Sequence, residues 1–309
     1  MTTTTTTAAA APPAVTVADR VLDGPHGDLQ VRVYSPGSTP VAGLVWAHGG
    51  AFAHGDLDMH EADGVARGLA AAGVAVVSVD YRRVPAVDYR AAGVVPTTGG
   101  VRFPVPSEEV AFAFAWAKAG GAAGLGVPAG RWSLGGASAG GDLAAGASLR
   151  LRDGVVPGHD GAPPRSVVLA YPVTHQVLPE PSAELAAKIA ALPPERNFEP
   201  DAVRAMNANY LGHDGPATSP YAFPGGHDLR GLPPTMIVNS DHDALRSGSE
   251  AYAAELAAAG VDVLVVREDG TYHGHLNQPD DPGCARSIAR MAAWLTTDAL
   301  VGTTHEPPR

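Results

Sequence analysis

The sequence predicts an α/β chain: a mostly parallel central sheet flanked by helices. Three observations carry that expectation. Short apolar runs such as Val74–Val79 and Val261–Val266 alternate with helical stretches, the pattern of βαβ units. Several of these runs are apolar throughout, as strands buried on both faces must be. Gly73 and Gly260 stand where helices should stop, because glycine enters the left-handed turn that ends a helix without penalty.

In chain order, residues 1–14 are Thr, Ala and Pro at a density that offers little to pack, and are expected to form a disordered tail. Val15–Asp23 and Leu29–Tyr34 are β-prone runs separated by GPHGD, which reads as a hairpin at an antiparallel edge. Val41–Ala47 is a strand ending at His48-Gly49-Gly50, followed by a helix over 58–72 and the strand Val74–Val79. Ser107–Lys118 reads as a helix, with Ser107 as N-cap and Glu108 and Glu109 in its first turn. Arg131–Leu134 is a strand, Ala139–Leu151 a helix, and Ser166–Tyr171 a strand stopped by Pro172. Thr235–Asn239, a helix over about 247–259, the last strand Val261–Val266 and the final helix Ala285–Leu295 complete the alternation. Residues 15–300 therefore read as one domain, with a short C-terminal tail at 301–309. Two stretches interrupt the rhythm and are read as cap elements. Residues 84–102 are Gly/Pro-punctuated, and 174–233 hold two helices near 182–191 and 200–211.

Composition removes several function classes. The formal charge is −11 and no basic stripe occurs, so neither a nucleic acid nor an anionic membrane is the expected partner. No apolar run approaches a membrane span. The N-terminus has no positive region before its apolar part, so it is not read as a secretory signal. Cys284 is the single cysteine, so no intramolecular disulfide is possible, which suits a reducing, cytoplasmic setting. His54, Asp56, Asp58 and His60 crowd one loop, but their spacing matches no standard ligand set. No metal or cofactor is expected. Asp142 lies one turn into its helix, where a carboxylate suits the dipole, and is given no catalytic role.

Chemistry enters at Gly136-Ala137-Ser138-Ala139-Gly140. The segment lies between a strand and a helix, the context that makes Gly-x-Ser-x-Gly informative. Such a tight turn needs small neighbours and throws the serine hydroxyl out at the carboxyl end of the sheet. A serine hydroxyl needs a base, and the base needs an acid to orient it. Asp241 and Asp243 follow the strand TMIVN, and His273 and His275 follow the last strand, so the order is Ser, Asp, His. An oxyanion hole is available from the amide of Ala139 and from Gly49, Gly50 and Ala51 after Val41–Ala47.

Taken together, AHGGAFAHGDLDMH (47–60), DYR (80–82), FPVP (103–106), GGASAGGDLAA (135–145), DHDALR (241–246) and YHGH (272–275) resemble the hormone-sensitive-lipase-like family of α/β-hydrolase esterases. The resemblance runs from about residue 15 to 297. It implies Ser138 as nucleophile, Asp243 as acid and His273 as base. Backbone amides among Gly49, Gly50, Ala51 and Ala139 would form the oxyanion hole, with Gly50 and Ala51 the first choice. The implied activity is hydrolysis of short-chain carboxylic esters, with a small-molecule ester as substrate. An arylformamidase-like amidase and a ligand-binding protein on a hydrolase scaffold are the rival readings. Ala51 stands where the family often has a third glycine, Ala137 where it often has Asp, and His275 where Phe is common. Each is expected to alter the pocket wall. Few residues precede the first strand where family members often carry a cap helix, so 84–102 is expected to replace that cap.

Overall fold

Eight strands form a single sheet in the computed structural model, which describes residues 14–88, 100–158, 163–193 and 196–298. They are β1 (Thr16–Gly24), β2 (Gly27–Ser35), β3 (Ala42–Ala47), β4 (Val74–Asp80), β5 (Trp132–Ala137), β6 (Val167–Ala170), β7 (Thr235–His242) and β8 (Val263–Tyr272). The spatial order is β1-β2-β4-β3-β5-β6-β7-β8. Only β2 runs against the others: its pairings with β1 and with β4 are antiparallel. From β4 to β8 every pairing is parallel, as the uninterrupted apolar runs predict.

Seven α-helices are described: α1 (Val65–Ala71), α2 (Val105–Trp116), α3 (Ala139–Arg152), α4 (Ala183–Ala190), α5 (Pro200–Leu211), α6 (Arg246–Ala258) and α7 (Pro282–Thr296). α1 and α7 cover one face of the sheet, and α2, α3 and α6 the other. Val45 and Ala47 of β3 pack in one core layer with Phe114 of α2 and Leu143 of α3. Leu44 and Trp46 of the same strand pack in the other, with Leu69 of α1 and Met291 of α7. The alternation of neighbours on one strand is the period of two made visible.

Several boundaries differ from the sequence reading. The expected helix over 58–72 starts as a wide turn at His60–Gly64 before becoming α1. β5 runs on to Ala137, because glycines at 135 and 136 are held in the ladder beside Val168 and Leu169. β8 extends past Val266 through the polar stretch Arg267–Tyr272, still paired with β7. Ser107 is not an N-cap. The helix begins two residues earlier, after Pro104, and Ser107 is buried, accepting a hydrogen bond from Arg150 Nε at 3.0 Å.

The cap expected over 174–233 holds α4 and α5. The central part of the expected 84–102 element, residues 89–99, lies outside the described residues. Its described ends are tied to the site and the cap. Val84 N–H donates to Phe52 O at 3.0 Å, Asn209 Nδ2 to Pro85 O at 2.9 Å, and Phe103 N–H to Tyr210 O at 2.9 Å.

Candidate active site

The singled-out residues converge on the carboxyl edge of the sheet, each directly after a strand. β3 ends at Ala47 and His48 follows; β5 ends at Ala137 and Ser138 follows; β7 ends at His242 and Asp243 follows; β8 ends at Tyr272 and His273 follows. One parallel sheet thus delivers four chain segments to one place.

The turn at Ser138 is sterically determined. Ser138 has φ 53° and ψ −119°, a conformation costly for any residue with a Cβ. It persists because its surroundings permit nothing larger. A Cβ on Gly136 would stand 2.2 Å from Gly140 O, and one on Gly140 would stand 2.2 Å from Ala47 O and 2.3 Å from His48 O. The strained backbone aims the Ser138 side chain away from the core and toward His273. Ser138 Oγ lies 3.0 Å from His273 Nε2, and His273 Nδ1 lies 2.7 Å from Asp243 Oδ2. With Nδ1–H donating to the carboxylate, Nε2 is the acceptor for the serine hydroxyl. Burial opposes charge on His273, but Asp243 and Glu61 outweigh it and raise the imidazole's pKa above its ordinary value.

A β-bulge selects Asp243 over Asp241. Paired residues of β7 and β8 differ by 28 up to Ser240–Glu268 and by 30 at His242–Tyr272. The extra residues on β8 bring Asp243 and His273, the next in each strand, side by side. Asp241 turns the other way. It pairs with Lys188 of α4, accepts the Gly270 N–H at 3.1 Å, and these partners hold its carboxyl below the usual range despite burial. His275 is likewise turned inward, 1% exposed, between Ser240 Oγ at 2.8 Å and Ser287 Oγ at 2.7 Å. Burial lowers its pKa to about 4, so it serves as a neutral brace.

The loop after β3 supplies backbone donors. Gly50, Ala51 and Phe52 all have positive φ, at 118°, 54° and 62°, which explains why a third glycine would be at home at position 51. The N–H groups of Gly50, Ala51 and Ala139 have no hydrogen-bond partner among the described residues. Gly49 differs and is a correction to the sequence reading: its N–H is taken by Glu61 Oε2 at 2.6 Å, so it is not free to meet an oxyanion. His48 braces this loop. Its ring stacks on Tyr81 with centroids 4.6 Å apart, and Tyr81 Oη donates to His48 O at 2.8 Å.

A cavity of about 310 Å³ opens over Ser138, lined by Gly50, Ala51, Met59, Met206, Phe198 and Leu245 among others. A second, outer cleft of about 590 Å³ adjoins it across Phe198 and His273 and carries Arg196 and Asp280. Phe198, from the cap, sets its ring edge-on to His273 at 4.8 Å between centroids; neither a motif nor a period marks it in the sequence. Of the three departures from the family pattern, Ala51 does line the inner cavity. Ala137 does not: it is fully buried in the core layer with Trp46 and Tyr171, so it shapes packing rather than the pocket wall.

Other expectations resolve differently from their sequence reading. Asp142 is completely buried, neither carboxyl oxygen has a partner among the described residues, and burial pushes its pKa well above the usual range. Burial therefore works against the ionised carboxylate that the helix dipole would favour here. The crowded loop at 54–60 disperses. Asp58 pairs with Arg32 at 2.6 Å, Asp56 accepts the N–H groups of Asp58 and Met59, and His60 Nδ1 lies 2.6 Å from Leu276 O. Among the described residues no group of three or more His, Cys, Asp or Glu could hold a metal ion, and no helix is long and apolar enough to cross a membrane.

An eight-stranded, mostly parallel sheet with a serine on a strained strand-to-helix turn defines a hydrolase class. A family model described as an alpha/beta hydrolase fold matches residues 44–277, and the chain belongs to that family. It is 34% identical over 271 residues to the esterase LipI of Mycobacterium tuberculosis, covering 84% of this chain and 75% of that protein. It is also 34% identical to the carboxylesterase NlhH of the same species, over 81% of this chain and 72% of that protein. The solved esterase of Pyrobaculum calidifontis superposes with a TM-score of 0.75 at 30% identity, covering 92% of this chain and 86% of that one.

Proposed function

We propose that this protein is a serine carboxylesterase acting on short-chain carboxylic esters. The observation that carries the reading is the unbroken line Ser138 Oγ–His273 Nε2 at 3.0 Å and His273 Nδ1–Asp243 Oδ2 at 2.7 Å, with three free amides beside the serine. The esterase names of the relatives support it. Ser138 attacks the ester carbonyl while His273 Nε2 takes its proton. Asp243 holds the tautomer and stabilises the imidazolium that forms. The amides of Gly50, Ala51 and Ala139 stabilise the oxyanion. The imidazolium then protonates the departing alkoxide. Water, deprotonated by His273, cleaves the acyl-enzyme and restores Ser138.

The inner cavity of about 310 Å³ is at the small end for ligand sites, and its walls of Met59, Met206, Phe198 and Leu245 favour a short apolar acyl group. The outer, more polar cleft takes the alcohol. Esters varied separately in acyl and alcohol length test this division: kcat/KM should fall steeply beyond a few acyl carbons and change gently with the alcohol. Ser138→Ala should lower kcat by about 10⁶, the scale seen when a serine nucleophile is removed; a tenth of wild-type activity surviving would sink the assignment. Since His273 must be neutral to act as base, and its pKa is raised, the acid limb of kcat/KM should lie above the ordinary imidazole value of about 6.5.

A further inference from the structure

The reaction above gives no role to Glu61. Its side chain is in the wall of the inner cavity and the residue is only 1% exposed. A buried carboxylate is costly unless its partners are matched to it, and here they are. Oε2 accepts the Gly49 N–H and Oε1 accepts the Tyr171 hydroxyl, both at 2.6 Å, short as charge-assisted bonds are. The main chain of Glu61 is fixed as well. Its N–H donates to Asn277 Oδ1 and its carbonyl accepts from Trp46 Nε1, both at 2.9 Å.

Both side-chain partners face the reacting groups. A Cβ placed on Gly49 would stand 2.6 Å from Glu61 Oε2 and 3.0 Å from Ser138 Cβ, so the glycine is sandwiched between them. Tyr171 sets its ring edge-on to His273, with centroids 4.9 Å apart. Directly after Gly49 come three residues of positive φ, two of them non-glycine. Each left-handed non-glycine residue costs roughly 1–2 kcal/mol, and such strain persists only where the surroundings over-determine it. An anchor at the start of that run is what it requires.

We propose that Glu61 is the positioning residue of the oxyanion loop. Its carboxylate holds the Gly49 amide and so aims the next two, of Gly50 and Ala51, at the acyl oxygen. Its second oxygen fixes Tyr171 against His273. The inference rests on the esterase reading of Ser138 and His273. It has an electrostatic side too: the charge of Glu61 adds to that of Asp243 in favouring the imidazolium, against burial.

Two variants separate the effects. Glu61→Ala removes both hydrogen bonds. Glu61→Gln keeps a carbonyl for the Gly49 N–H and so keeps the loop anchor; it removes the charge, and its NH₂ can only donate to the Tyr171 hydroxyl, which loses the acceptor it has in Glu61. With p-nitrophenyl butyrate, Glu61→Ala should lose about 10²-fold in kcat, the scale of one lost oxyanion donor, with KM nearly unchanged. Glu61→Gln should recover most of that kcat and move the acid limb of kcat/KM to lower pH. If Glu61→Ala fails to fold, the Glu61→Gln limb decides alone. Wild-type kcat in a folded Glu61→Ala, or an acid limb unmoved in Glu61→Gln, overturns the proposal. Ser138→Ala run alongside keeps the two readings apart. If it is inactive while the Glu61 variants behave as wild type, only this inference fails; if it is active, the esterase site itself is wrong.

Discussion

The floor of the site and the cap above it are built by different physics. The floor is steric: three loops and a helix start meet at distances that only glycine or a strained residue allows. Gly140 has carbonyl oxygens of Ala47 and His48 where a Cβ would go, and Ser138 is held at φ 53°. The cap is held by side chains from distant segments. Lys188 of α4 pairs with Asp241, Arg246 of α6 with Glu184 of α4, and Tyr210 of α5 stacks on Phe52 with centroids 4.0 Å apart. Backbone-limited contacts tolerate no change, whereas side-chain contacts can be exchanged. The floor should therefore be brittle and the cap adjustable.

Gly140→Ala attacks the floor and should have the largest effect. The added methyl meets two backbone carbonyls that cannot rotate away. Overpacking of this kind costs about 1–3 kcal/mol or more, and the displaced Ser138 should lower kcat by about 10²-fold, as misplacement by an ångström does; thermal melting and ester turnover read the two losses.

Asp142→Asn sharpens the comparison from beneath the floor. Burial raises the folded pKa of Asp142 above its unfolded value. Between those two values the native state binds more protons, so stability falls as pH rises through that window. The neutral amide removes this slope. Urea melts from pH 5 to 8 should show the variant losing less stability than wild type toward the alkaline end.

Lys188→Met probes the cap. Lys188 is a quarter exposed, and Asp241 keeps Arg246 and the Gly270 N–H. The cost should stay near or below about 1 kcal/mol, as for partly exposed ion pairs, with KM moving more than kcat. A loss of kcat like that of Gly140→Ala would erase the distinction between cap and floor. Ala51→Gly should have the smallest effect. Relief of a left-handed Ala, about 1–2 kcal/mol, is offset by the greater freedom of glycine in the unfolded chain, leaving a shift in melting temperature of a few degrees at most.

The same division decides how much was legible in the amino-acid order. The parallel sheet and the turn at Ser138 follow from local rules, and Gly136 and Gly140 announce the turn because no other residue fits. The choice between Asp241 and Asp243 was not readable from spacing, since a bulge between Ser240 and His242 shifts the register by two residues and no motif marks it; resemblance supplied it. Gly49 could not be told from Gly50, because what separates them is a hydrogen bond from Glu61, twelve residues away on a helical turn. Glu61 itself gave one faint signal: an acid on the same face as Val65 and Leu69, four and eight residues on, where a helical segment is otherwise apolar. The helix-dipole reading of Asp142 assumes access to water, and Asp142 is fully buried. Phe198 meets His273 across 75 residues of sequence, a contact that no local pattern announces.

The central claim is that Ser138, activated by His273, is the nucleophile. Stoichiometric reaction with an aryl phosphonate, followed by peptide mass mapping, tests it most directly. One adduct per chain is expected, on Ser138, formed in step with loss of esterase activity and abolished in His273→Ala. An adduct on another residue, or full inactivation with Ser138 unmodified, would contradict it.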